Sequence, residues 1–233
     1  MTLSDRLEAA AGLVTPGFRL ADVGTDHGFV PIWLIRNGII PSAIAMDVNR
    51  GPLERAAEHI REAGLEQFIE TRLSDGLAAL KSDEADSVLI AGMGGALTVR
   101  ILKENPAAAL NIRELILQPQ SEISKVRYHL AESGWVIDRE DMVFEDGKYY
   151  PMMHCIPGEM HLSEQQAEYG PVLLEERHPV LLRYLKFREC VLESNVQSLR
   201  KAASDKAEER RKEILGQLDT IREIRCRYFD EET

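Results

Sequence analysis

The sequence is short of cysteine, of long apolar runs and of positive charge. Its three cysteines, Cys155, Cys190 and Cys226, stand far apart, with no C-x-x-C and no neighbouring histidine cluster. An odd, scattered set excludes a disulfide scaffold and a structural zinc site. It fits small apolar packing residues or free thiols in a reducing compartment. No stretch reaches the roughly 18 uncharged apolar residues of a membrane span, and the opening MTLSDRLEAA reads as a charged amphipathic helix rather than a signal peptide. A cytoplasmic chain with no membrane and no metal partner is expected. The 28 Lys/Arg against 39 Asp/Glu leave a net charge of −11, which argues against wholesale charge-driven binding to nucleic acid. The deficit is uneven: residues 177–227 hold 13 Lys/Arg against 8 Asp/Glu, and residues 1–159 hold 15 against 24. An acidic body carries a moderately basic appendage. Apolar residues are plentiful, 44% of 233, enough for one domain core with an addition.

Short runs rich in Val, Ile and Leu alternate with helical patterns from Arg19 to about Leu117: RLADVG, AIAMDV, FIETRL, DSVLIAG and RELILQP. Strands separated by helix-length segments predict right-handed βαβ crossovers and a parallel sheet, because parallel neighbours need a long return connection. VPIWLIRNG reads as a helix closed by Gly38, RGPLERAAEHIREAG as a helix with Pro52 near its start and Gly64 near its end, and GALTVRILKEN as another. Beyond Gln118, SEISKVRYHLAESG predicts a helix with Ser121 as N-cap and Gly134 as stop, and WVIDREDMVFEDGKYYPMMHCI predicts two strands around the turn EDGK. The fold class is therefore α/β, mostly parallel with an antiparallel final strand.

The polar stretch PGEMHLSEQQAEYGP marks a boundary, giving a ligand-binding domain over 1–158 and a linker with a C-terminal helical hairpin over 159–233. One apolar stripe runs through Leu185, Leu192, Val196, Leu199 and Ala203, a second through Ile214, Leu218, Ile221 and Tyr228. A break at Ser204 and Asp205 lets the two helices fold back, coiled-coil-like, and bury the stripes.

The central motif is LADVGTDHGF, where the first strand runs into a helix. Gly24 and Gly28 permit a tight turn and close backbone approach to a nucleoside at a helix N-terminus. Dinucleotide sites read G-x-G-x-x-G; here Asp26 stands between the glycines. An anion in that crevice repels a pyrophosphate and tolerates a sulfonium or an ammonium, which favours S-adenosylmethionine over NAD. Asp47 ends the second strand, 25 residues after Asp22, where it can accept from both ribose hydroxyls. Asp75 follows the third strand, within reach of an adenine amine. Each carboxylate alone also suits an N-cap or a turn; together they mark the carboxyl ends of three consecutive strands, where open α/β sheets bind ligands. Gly92, Met93, Gly94 and Gly95 close the fourth strand and leave room for a flat ring or a methyl group. Gln118 ends the fifth, with an amide that can meet a base edge.

VGTDHG with VP following, AMDVNRGPL, SDGL, IAGMGG, LILQPQ, DGKYY, and YGP with ERHP resemble, in order and spacing, the bacterial tRNA adenine N1-methyltransferases that modify position 22, the TrmK family. The resemblance implies a class I, Rossmann-like methyltransferase sheet, S-adenosyl-L-methionine as cofactor and N1 of a tRNA adenine as acceptor. Asp22, Gly24, Thr25, Asp26, His27, Gly28, Asp47, Val48, Asn49, Asp75, Gly76, Gly92, Met93 and Gly94 would then bind the cofactor. Asp26 stands where the generic pattern has a glycine, and IAGMGG where amino-group methyltransferases often carry N/D-P-P-Y.

Asp26 and His27 are the candidate catalytic residues, Asp26 as acceptor for the target N6 amine and His27 or Gln118 as orienting groups. Phe29 or Tyr149 offers a stacking surface. Arg210, Arg211 and Lys212, with Arg222, Arg225 and Arg227, could grip tRNA phosphates, although solvated faces paired with glutamates explain them equally. A monomer is expected, with a dimer through the hairpin left open. Rival readings are a methyltransferase for a protein or small molecule, and a non-catalytic RNA-binding scaffold.

Overall fold

A computed structural model of the chain describes residues 2–199 and 205–229. Strands β1 (Leu20–Val23), β2 (Ala43–Asp47), β3 (Ile69–Leu73), β4 (Ser87–Ala91), β5 (Glu114–Gln118), β6 (Trp135–Glu145) and β7 (Lys148–Pro157) form one sheet in the order β3-β2-β1-β4-β5-β7-β6. The first five are parallel; β7 runs antiparallel between β5 and β6. Each of β1, β4 and β5 is flanked on both faces, and their residues are buried almost throughout, which is why they read as unbroken apolar runs. Helices α1 (Asp5–Gly12), α2 (Phe29–Arg36), α3 (Arg50–Glu62), α4 (Gly95–Glu104) and α5 (Ile123–Glu132) connect and cover the strands.

Strand order reverses between β1 and β4, which pair as Val23↔Ile90 while β1 pairs with β2 as Val23↔Met46. A crevice opens at the carboxyl ends of strands where the topology switches direction. Gly24 and Gly92 therefore leave the sheet side by side at this rim.

The final hairpin turns on Asp146 and Gly147, both left-handed at φ 48° and 76°, the two-residue geometry that matches strand twist. It docks on β5 through three register pairs, Leu115↔Cys155, Ile116↔His154 and Leu117↔Met153. A buried polar cluster reinforces that seam: His154 lies 2.9 Å from Glu114 and 2.5 Å from Asp138, and Glu114 also accepts from the Thr15 N–H at 2.9 Å and from the Ser87 hydroxyl.

Ser121 is not the cap of α5. Glu122 holds that place in the left-handed region at φ 49° with no side-chain cap, because the Ser121 carbonyl is occupied by the Gly95 N–H at 3.0 Å. The stretch read as linker contains two short helices, α6 (Glu164–Tyr169) and α7 (Pro171–Glu175). The chain divides into two compact units, Met1–Glu168 and Tyr169–Thr233. Arg127, fully buried, joins Glu140 to the carbonyls of Ala167 and Glu168 and so holds the end of the first unit.

In the second unit α8 (Pro179–Leu199) and α9 (Asp205–Tyr228) pack through Leu185, Leu192 and Val196 on one side and Ile214, Leu218 and Ile221 on the other. Leu181 and Ile224 extend the two buried stripes, while Leu199 and Tyr228 are half-buried. Ala203 and Ser204 lie outside the described residues; Asp205 begins α9.

Candidate cofactor and substrate site

A cleft of about 380 Å³ opens at the switch point, between the turn after β1, the end of β4 and the first turns of α1 and α2. Asp22 forms its floor. Burial pushes this carboxyl up to about 6; the Thr25 hydroxyl lowers it in part, and the negative charge of Asp47 raises it further. The Thr25 contact falls short of full hydrogen-bond geometry, so Thr25 Oγ1 is buried with no partner among the described residues. The turn itself is tied to β2, with the N–H groups of Gly24 and Thr25 donating to the Met46 carbonyl at 2.8 and 2.9 Å. Gly24 sits at φ 78°, and a Cβ there would lie 2.0 Å from Met93 Cε. Only glycine lets Met93 close over this turn.

Asp26 is not the lone anion of the crevice. Its carboxylate is 61% exposed and bonds the Arg55 guanidinium at 2.7 Å, with His27 Nε2 at 3.5 Å. The negative charge that stays enclosed, and that would repel a pyrophosphate, belongs to Asp22 and not to Asp26. His27 itself is left-handed at φ 70°. Its ring stacks with Phe29 (4.9 Å between centroids) and with His59 from α3 (5.2 Å), and His59 Nδ1–H donates to the His27 carbonyl at 3.0 Å. His27 Nδ1 is buried without a partner among the described residues. Gly28 caps α2 against Ala56. Phe29 lines the cleft, whereas Tyr149 packs on Phe144 in the terminal hairpin and is not part of the lining.

Asp47 accepts the Asn49 N–H at 2.7 Å, and beside it Val48 leaves 57% of its surface bare, an apolar face next to a carboxylate. Asp75 is exposed and bonds Arg100 at 3.2 Å. Gly76 is a packing glycine, since a Cβ would meet Ile101 at 2.9 Å. The glycines after β4 divide in the same way. Gly95 abuts the Ser121 carbonyl and Gly94 the Ser121 hydroxyl; beside Gly92 the first atoms are Gln120 Nε2 at 3.8 Å and Arg6 Nη1 at 3.9 Å. Gly92 alone of the three leaves space, and that space belongs to the cleft.

Gln118 departs from the expectation of a free amide at the rim. It is fully buried, accepting from Arg6 Nη1 at 2.8 Å and from the Gly92 N–H at 3.2 Å, and donating to the Pro119 carbonyl at 3.3 Å. Gln120 lines the cleft instead, as does Arg6. On the separate helical unit, Arg210 pairs with Glu213 at 2.5 Å and Arg211 with Glu208 at 2.6 Å, while Lys212 is exposed. Arg222 and Arg225 both bond Glu189, and Arg227 lies over the Tyr228 ring.

The donor set fits S-adenosylmethionine. An enclosed carboxylate suits a cation, Thr25 Oγ1 and His27 Nδ1 are buried polar atoms that a polar ligand would satisfy, and Asp47 with Val48 sets a carboxylate beside an apolar face, a pairing that suits a nucleoside. No group of His, Cys, Asp and Glu among the described residues could hold a metal.

Residues 3–153 match the methyltransferase domain family. The tRNA (adenine(22)-N(1))-methyltransferase of Bacillus subtilis is 29% identical, over 96% of this chain and 97% of its own. Streptococcus pneumoniae Sp1610, assigned as a tRNA (m1A22) methyltransferase, superposes with a TM-score of 0.88 at 36% identity, over 96% of this chain and 99% of its own. Its complex with S-adenosyl-L-methionine gives a TM-score of 0.83 at 35% identity, with 96% and 99% of the two chains covered. By its matched domain family, its similarity along nearly the whole chain and its strand order, this chain belongs to the TrmK family of bacterial tRNA adenine N1-methyltransferases.

Proposed function

We propose that the chain transfers a methyl group from S-adenosyl-L-methionine to N1 of an adenine in tRNA, at position 22. The cleft at the switch point carries this reading: a buried carboxylate on its floor and open space at Gly92, in a chain whose relative Sp1610 is known in complex with S-adenosyl-L-methionine. The site assigned to the cofactor runs from Asp22, Gly24 and Thr25 to Asp47, Val48 and Asn49, with Asp75 at its far end. Bound there, the cofactor supplies a methyl carbon made electrophilic by a sulfonium sulfur.

Adenine N1 already carries an in-plane lone pair, so no base has to remove a proton before attack. The task left to the protein is alignment, with reacting atoms about 3 to 3.5 Å apart. Asp26 is suited to accept a hydrogen bond from the N6 amine once it releases Arg55. Both partners are exposed, so their pairing is worth at most about 1 kcal/mol and exchanges readily. Phe29, braced by His27 and His59, offers a π-face to the base, and Gln120 offers its amide at the rim where Gln118 does not. No proton has to leave for the step to balance: the methylated adenine would carry the positive charge, which the Asp26 carboxylate is placed to stabilise. N1 lies on the pairing edge, so the base must first be exposed, at a cost of a few kcal/mol, offset by binding elsewhere on the RNA. No helix among the described residues is long and apolar enough to cross a membrane.

Incubating the chain with tRNA and isotope-labelled cofactor, then analysing nucleosides by mass spectrometry, tests the proposal. Label in 1-methyladenosine is the expected result; label in another nucleoside, or in none, refutes it.

A further inference from the structure

A second cavity lies away from the cleft, at the end of the sheet where β5 and β6 begin. Helix α4 leaves the rim at Gly95 and ends at Glu104, about 15 Å on at 1.5 Å per residue. Helix α5 packs beside it and is capped by Ser133, two residues before β6 starts at Trp135. Between these ends and the 3₁₀ turn Ala107–Leu110 a pocket of about 300 Å³ opens, with Leu102, Ala107 and Leu130 as its apolar wall.

The remaining lining is polar and incompletely bonded. Trp135 is 5% exposed, yet its indole N–H makes no hydrogen bond among the described residues. His129 is about nine-tenths buried, and both its ring nitrogens face one partner, Ser133 Oγ, at 3.1 and 3.4 Å. Burial, and then the Lys103 ammonium, lower its pKa below 6.5, against the opposing charge of Glu132, so the ring is neutral at neutral pH. A neutral imidazole has one donor and one acceptor nitrogen, and a single hydroxyl cannot serve both in line, which leaves one position on the ring to fill. Lys103 is exposed and makes no ion pair among the described residues. Its charge offsets the partial negative charge that the two helix C-termini bring to the pocket.

Donors on Lys103, Trp135 and Ser133 beside an apolar wall suit an anion with an apolar body. We propose that this pocket binds a small monocarboxylate with a flat apolar body, the carboxylate held by Lys103, the Trp135 indole N–H and Ser133, and the body packed on Leu102, Ala107 and Leu130. The site shares no residue with the cleft, so it stands whether or not the chain methylates tRNA.

The test titrates benzoate, benzamide and benzylamine, one shape with negative, no and positive charge, into the isotope-labelled full chain. The readout is the indole N–H resonance of Trp135, identified as the one that survives in Trp33→Phe. Benzoate is expected to saturate the shift at millimolar concentration and to bind about five- to ten-fold more tightly than benzamide, with benzylamine weakest. Lys103→Gln, at an exposed position that the fold does not depend on, should bring benzoate and benzamide within about two-fold of each other. The benzoate shift should persist in excess S-adenosylhomocysteine. No saturation below about 20 mM benzoate, equal affinity for the three probes, or wild-type preference in Lys103→Gln overturns the proposal. Displacement of benzoate by S-adenosylhomocysteine also overturns it, by moving the probe to the cleft.

Discussion

At the scale of single residues, Asp22 sets fold stability against ligand binding. The folded chain holds its proton from the ordinary value of 3.8 up to about 6, an interval in which the unfolded chain has released it. The ligand-free fold therefore loses stability as pH rises through that interval, and the loss, on the order of 3 kcal/mol at most, persists above it. Asp22→Asn should raise the thermal midpoint of the ligand-free chain at about pH 7.5 by several degrees and lower its affinity for S-adenosylmethionine. Wild-type affinity should increase between about pH 5 and pH 7 as the carboxylate forms, and the variant should lose that slope. Melting curves and titrations across this range check both; a midpoint that falls on substitution contradicts the account. The importance of Asp22 over Asp26 was hidden from the sequence, which shows both as acidic residues of one motif. What separates them is Arg55, which arrives 29 residues later on α3 to neutralise the exposed one. The place of Arg6 in the cleft was hidden for the same reason, since its partner Gln118 lies 112 residues away in the sequence and Tyr150 farther still.

At the scale of elements, the terminal hairpin rests on β5 by a short seam, and His154 is its buried fastening. Burial alone would lower the imidazole's pKa, but Glu114 and Asp138 on either side raise it above the ordinary 6.5. Burial likewise pushes Glu114 up, and its bonds from His154, Ser87 and Thr15 outweigh that and bring it below 4.5. The histidine's contribution is complete below 6.5 and lost as pH rises through its raised value; that of Glu114 is complete above 4.5 and lost as pH falls through its lowered value. Stability from this cluster thus peaks in a mildly acidic to neutral window. His154→Leu should cost about 3 kcal/mol or more, because Glu114 keeps its charge and loses its cation, and should flatten the alkaline side of the stability profile. A variant with wild-type alkaline sensitivity would place that titration elsewhere. The strands of this sheet were legible because buried strands are unbroken apolar runs bounded by glycine, and the hairpin because Asp-Gly selects its turn. Helices α6 and α7 were not, since six and five residues are too few to show a period. Neither was the cap of α5, decided by Gly95 occupying the Ser121 carbonyl.

At the scale of the whole molecule, a chain of net charge −11 has to hold a polyanion. Association with RNA is driven largely by cations that displace counterions from phosphates, so the grip has to come from a locally basic surface. The helical unit is the region with an excess, yet Arg210, Arg211, Arg222 and Arg225 are each engaged by a glutamate of the same unit. Those pairs lie mostly at the surface, where water and salt screen them and hold them only weakly. A phosphate carrying a full charge competes with them at little cost, and Lys212 is exposed without an ion pair among the described residues. Reversing Arg210 and Arg211 together to glutamate should therefore weaken tRNA binding by about ten-fold or more at moderate salt. The slope of log affinity against log salt should fall by roughly 0.7 to 0.9 for each phosphate that is no longer neutralised. Affinity for S-adenosylmethionine, bound in the other compact unit, should not change. Filter binding across a salt series separates the outcomes. A variant with wild-type affinity and slope would mean that these arginines serve only their own glutamates, and would leave the first unit to hold the RNA despite its acidic balance.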